Sequence, residues 1–81
     1  MYKETRVTLV CTYDSVADAA YLYLDHPLPP GAVQRVVPFD PAEGMFVLDL
    51  DVEGHVVGLE VLGASTRLPP ALLGAIHDQD R

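Results

Sequence analysis

Cations are the first scarcity: five Lys+Arg stand against twelve Asp+Glu, a formal charge of −7 over 81 residues. Nucleic-acid and anionic-membrane binders need clustered Lys and Arg to displace counterions, so both are excluded as partners. Cysteine is scarcer still. Cys11 stands alone, which rules out an internal disulfide and any zinc site built on paired cysteines. Small secreted domains usually offset a thin core with several disulfides, so a reducing cytoplasm suits this chain. No apolar run approaches the roughly 20 residues that span a bilayer. Met1–Arg6 lacks the apolar segment of a secretory signal.

What is present is the composition of a folded domain. A hydrophobic content of 49% and a mean hydropathy of +0.19 exclude a disordered acidic tail. The length makes residues 1–81 one domain. A chain this short buries only about 60% of the surface its unfolded form exposes, so covering by a second copy would help.

Alternation dominates the pattern. Val7–Asp14 alternates with period two and is rich in β-branched residues, a strand signal. Asp14–Asp18 is a turn or a cap, since Asp and Ser compete for backbone N–H groups. Ala19–Leu24 alternates Leu with Tyr and reads as a strand, with a helix over 17–24 as the alternative. Asp25–Gly31 holds three prolines and is a stiff connection. Val33–Phe39 makes a third strand that Pro38 confines to an edge or ends early. Asp40–Gly44 is a turn. Met45–Asp51 and Val56–Leu62 form a β-hairpin around a short Gly-containing connection, with Phe46, Leu48 and Leu50 on one face of the first run and Val57, Leu59 and Val61 on one face of the second. Pro69-Pro70 opens a short C-terminal helix carrying Leu72, Leu73 and Ile76. Gly74 weakens that helix, and it exists only if packed, with frayed last residues. The expected architecture is α+β: one small, hairpin-rich antiparallel sheet of about four or five strands with a short C-terminal helix.

Several chemistries can be weighed from residue types. Asp49, Asp51, Glu53, Gly54 and Glu60 fit the spacing of a calcium loop. Such a loop needs helical flanks, and both flanks here alternate with period two. Asp49, Asp51 and Glu60 therefore read as an acidic interaction face on the hairpin. Asp49, Asp51, Glu53 and Glu60, with His55, remain a candidate divalent-metal or small-molecule site. His26, His55 and His77 lack the spacing of a metal-binding helix. Cys11, at an inward strand position, is a small core residue rather than a nucleophile. Ser15 and Ser65 lie in turn contexts without a nucleophile elbow. No Gly-rich phosphate loop is present. A small flat sheet rarely buries a substrate, so the chain is expected not to be an enzyme and to need no cofactor.

Two blocks carry a family resemblance. The first is Tyr13-Asp14-x3-Ala17-Asp18-Ala19-x-Tyr21-Leu22-x-Leu24. The second is Asp51-x2-Gly54-x-Val56-Val57-Gly58-Leu59-Glu60-Val61-Leu62-x-Ala64-Ser65. Over positions 13–65 the chain resembles the small bacterial family called domain of unknown function 2283, leaving 66–81 as a C-terminal helical extension. It departs at Ala20, where Leu is usual, in the Pro-rich connection, and in the Pro-Pro helix. The resemblance implies a small sheet-based fold and brings no established activity. Some relatives are encoded beside a small toxin-like protein, which implies an antitoxin-like role.

Two partners are thus expected. One is a basic protein drawn to the acidic hairpin. The other is a second copy of the chain, because Val10, Tyr21, Tyr23, Val47, Val56 and Leu62 leave the second sheet face partly apolar. Tyr21, Tyr23, Leu72, Leu73 and Ile76 are the candidate contacts of that homodimer. The acidity is concentrated: nine carboxylates and one cation, Arg35, lie between Thr12 and Ser65.

Overall fold

The alternating runs become five strands in the computed structural model, which describes residues 1–39 and 46–79, the side chains of 77–79 excepted. These are β1 (Val10–Asp14), β2 (Ala19–Tyr23), β3 (Arg35–Phe39), β4 (Phe46–Leu50) and β5 (Val56–Leu62). Two helices follow, α1 (Ala64–Arg67) and α2 (Pro70–Gln79). The expected turn Asp40–Gly44, Met45, the side chain of His77 and the last two residues lie outside the described residues. No helix among the described residues is long and apolar enough to cross a membrane.

The strands form one antiparallel sheet in the order β1-β2-β5-β4-β3. The expected hairpin is β4–β5, and β5 goes on to pair with β2, which makes it the central strand. Pro38 has no N–H to give a ladder, and its strand, β3, lies at an edge. The strand reading of Ala19–Leu24 holds for Ala19–Tyr23, against the helical alternative. The first strand is shorter than its pattern. Val7–Leu9 alternates as well as Val10–Asp14 does, yet pairing begins at Val10↔Tyr23.

Polar side chains close the turns. The Asp14 carboxylate accepts the N–H groups of Val16 and Ala17 at 3.0 and 3.3 Å. In the β4–β5 turn Asp51 Oδ1 accepts from the N–H groups of Glu53 at 3.0 Å and His55 at 2.8 Å. Gly54 there has φ +88°, a conformation that residues with a Cβ rarely adopt. The calcium-loop spacing thus describes a hairpin turn.

The registers set Ala20 opposite Val61, Leu22 opposite Leu59, and Leu59 and Val61 opposite Leu48 and Phe46. This face carries the core. Ala20, Val61 and Ala64 are buried, with Tyr13, Leu22, Phe46, Leu59 and Leu68 packed around them. Val57 and Ile76 are buried as well. The Arg67 guanidinium lies over the Phe46 ring at 5.5 Å, a cation–π contact on the same side.

Helix α1 was not expected from the pattern. It has four residues and no side-chain cap from its own N-terminal neighbour, and a helix this short is unstable alone. Asp18, 47 residues before Ser65, supplies the cap. Its carboxylate accepts from the Ser65 N–H at 2.9 Å and the Ser65 hydroxyl at 2.6 Å. Its carbonyl accepts from the Ala64 N–H at 3.0 Å, and the Tyr13 hydroxyl donates to Oδ1 at 2.8 Å. Asp18 reaches these groups from a left-handed backbone, φ 51°, which Asp tolerates better than most residues.

Asp18→Ala is expected to lower stability by about 2 kcal/mol, from the loss of charge-assisted capping bonds. Urea denaturation followed by circular dichroism measures it. A loss below a few tenths of a kcal/mol would show that the carboxylate does not hold α1.

Candidate protein-interaction face

The opposite face of the sheet is built from the alternate residues. From β1 come Thr12 and Asp14, and from β2 Ala19, Tyr21 and Tyr23. Strand β5 adds Gly58, Glu60 and Leu62, and β4 and β3 add Val47, Asp49 and Val36. Helices pack on the other side, where the buried cluster lies. Val36 is 58% exposed, while Tyr21, Tyr23, Asp49 and Glu60 are half-buried.

Tyr21 organises this face. It lies opposite Glu60 on β5, and its ring leans over Gly58 to reach β4 beyond. There its hydroxyl donates to Asp49 Oδ2 at 2.6 Å, the length of a charge-assisted O–H···O⁻ bond. A Cβ on Gly58 would overlap the Tyr21 hydroxyl, so only glycine leaves the ring its path. Burial pushes the Tyr21 phenol well above its ordinary value, helped by the Asp49 hydrogen bond and by nearby negative charges. Tyr21 is therefore a fixed donor rather than a base.

Tyr23 meets the Tyr21 ring edge-on, with centroids 4.7 Å apart at 71°. His26, from the Pro-rich connection, meets Tyr23 in the same way at 4.9 Å and 83°. Asp49 pairs with Gly58 and Val47 with Glu60, so the two carboxylates are diagonal neighbours, a relation that spans about 7–8 Å. Beside them a shallow depression of about 360 Å³ is lined by Thr12, Asp14, Ala19, Tyr21 and Glu60, among others. The arrangement offers carboxylate acceptors between tyrosine rings, a surface that suits a cationic side chain.

The sequence-derived residues divide. Asp49 and Glu60 are on this face. Asp51 is in the β4–β5 turn, where its carboxylate takes backbone N–H groups and also lies 3.1 Å from His55 Nδ1. Those bonds, the His55 N–H first, hold its carboxyl below the usual range. The four carboxylates Asp49, Asp51, Glu53 and Glu60 do not converge. Among the described residues the group with ligand atoms within 4.8 Å of one another is Asp51, Glu53 and His55. The five dimer candidates also separate. Tyr21 and Tyr23 are on the open face, whereas Leu72, Leu73 and Ile76 belong to α2, which packs at β1. Ile76 is buried within its own chain.

Sequence reasoning missed Gly58 and Asp18. Both stand inside the resembling blocks, so the blocks were the available signal. A family model described as "Protein of unknown function (DUF2283)" matches residues 11–65. That span runs from β1 through all five strands to Ser65, the residue held by Asp18. No curated protein and no solved structure matches the chain.

In an alkaline absorbance titration the Tyr21 phenol should stay protonated well past the ordinary phenol value of about 10. Tyr21→Phe should remove one tyrosine from the late-ionising signal, and Gly58→Ala should make Tyr21 ionise at lower pH. The sign follows from linkage. A phenol raised by folding contributes stability below about pH 10 and loses it as pH rises through the folded value. Simultaneous ionisation of all the tyrosines would contradict the Tyr21–Asp49 bond.

Proposed function

The chain belongs to the DUF2283 family of proteins of unknown function, and from that premise we propose that it is a non-enzymatic protein-interaction module. It acts as a homodimer and presents its open sheet face to a basic partner. The observation that carries this reading is the charge of that face. Among the described strand residues it holds Asp14, Asp49 and Glu60 and no cation, since Arg35 pairs with Leu50 and shares the alternation of the core side. Tyrosines beside those carboxylates supply flat apolar area at low entropic cost.

The shallow depression does not enclose a substrate, which supports binding over catalysis. In its finer form the reading is antitoxin-like and cytoplasmic. The face would cover the cationic surface of a basic toxin, and electrostatic steering would speed the encounter. A divalent-cation reading has the exposed turn of Asp51, Glu53 and His55 to draw on, where Asp51 already accepts backbone bonds. Calorimetric titration with zinc and manganese tests it, and absence of heat removes it.

The main test is titration with an arginine-rich peptide, followed by tyrosine fluorescence. Asp49→Asn with Glu60→Gln should weaken binding at least about tenfold, or ~1.4 kcal/mol. Glu4→Gln, outside the sheet, should change little, and added salt should weaken all binding. Equal affinity of the double variant and the parent chain would overturn the assignment of this face.

A further inference from the structure

The sheet has two edges, β1 and β3, and they are protected differently. Edge β3 carries Pro38 and Arg35, devices that discourage pairing with another chain. Edge β1 has neither. From Val7 to Tyr13 the chain has no charge, no proline and no glycine. Its alternation runs three residues beyond the pairing with β2, and Val7, Leu9 and Val10 are exposed.

The open valences of that edge can be identified. The Leu24 N–H donates to the Val57 carbonyl at 3.0 Å, so strand alternation turns Leu22 and Ala20 toward β5, and Tyr23 and Tyr21 toward β1. Their partners Val10 and Thr12 are thereby engaged. The backbone N–H and C=O groups of Cys11 and Tyr13, and of Leu9 and Val7 where the strand continues, face outward.

We propose that this edge pairs with the same edge of a second copy, antiparallel about a two-fold axis at Val10, so that one sheet runs through both subunits. The proposal rests on the homodimer reading above and gives it an interface. Charge complementarity selects the register. Outward from Val10, Leu9 meets the partner's Cys11, Thr8 the partner's Thr12, Val7 the partner's Tyr13, and Arg6 the partner's Asp14. Each of these pairs joins groups of like backbone orientation, as an antiparallel ladder requires. Opposite charges directly across a ladder are favourable, and like charges are not. Shifting the register by two in one direction sets Asp14 against the partner's Glu4, and in the other against the partner's Thr8. The pairing also fits a chain of net charge −7, because it joins the uncharged segments from Val7 to Tyr13 and leaves Asp49 and Glu60 free. On the core side of this edge a groove lined by Leu9, Cys11, Leu72 and Ala75, with Val10 and Ile76, gives the partner's Val7 and Leu9 an apolar surface to meet.

Sedimentation equilibrium of the full chain at micromolar concentration should give about twice 8.8 kDa. Leu9→Pro removes an N–H aimed at the partner and lies outside β1, so it should yield a monomer with an unchanged circular dichroism spectrum. In a Cys11→Ser background, Val10→Cys places two thiols opposite each other at the axis, in a non-hydrogen-bonded pair whose close spacing suits a disulfide. Mild oxidation should cross-link it at least several-fold more than Thr12→Cys, which faces the partner's Thr8. A monomeric parent chain would overturn the interface and the homodimer reading together. A dimer that survives Leu9→Pro and cross-links no better at Val10 than at Thr12 would overturn the interface alone.

Discussion

The carboxylate of Asp18 ties the helical layer to the closed side of this sheet. It caps a helix of four residues that local propensity does not support, and it does so from the β1–β2 turn, across 47 residues of chain. With Ser65 held there, Ala64 is fully buried between Ala20 and Val61, and Pro70–Gln79 is directed back over β1. Burial of the apolar face and satisfaction of the helix N–H groups are thus one event. The match to the family model ends at the residue where that event takes place.

Closing one side leaves the other to be explained. An open face made of Tyr21, Tyr23, Asp14, Asp49 and Glu60 is too polar to be a core and too apolar to be a plain solvated surface. The Tyr21–Asp49 bond fixes its geometry across three strands, and Gly58 makes room for it. A cationic partner matches that chemistry. A second copy does not, because two such faces would repel. Self-association fits better on the uncharged edge of β1. The two proposed contacts share only Asp14, at the margin of the open face, and Asp49 and Glu60 stay available to the basic partner.

Much of the fold was legible because it rests on alternation and turn chemistry, which are local. The hairpin of β4 and β5 followed from two alternating runs around a short connection containing Gly54. The edge position of β3 followed from the missing N–H of Pro38. What escaped was non-local. Nothing near Ala64–Arg67 signals a helix, because its capping group is Asp18. The alternation of Val7–Leu9 promised a longer first strand, and among the described residues no strand lies beside it to pair with. The acidic spacing from Asp49 to Glu60 reads as one face carrying Asp49, Asp51 and Glu60. In the sheet, Asp49 and Glu60 alternate onto the open face, while Asp51 bends back to hold its own turn. Residue spacing along a chain does not report which face a turn residue will choose.

The central claim is that recognition belongs to the open sheet face and not to the helical side or the β4–β5 turn. Backbone and side-chain NMR shifts recorded while an arginine-rich peptide is added test it most directly. The account predicts perturbations that cluster at Thr12, Asp14, Tyr21, Tyr23, Asp49 and Glu60, with Ala64, Leu72 and His55 unchanged. Perturbations centred on α2 or on the Asp51–His55 turn, with Tyr21 and Asp49 silent, would contradict it.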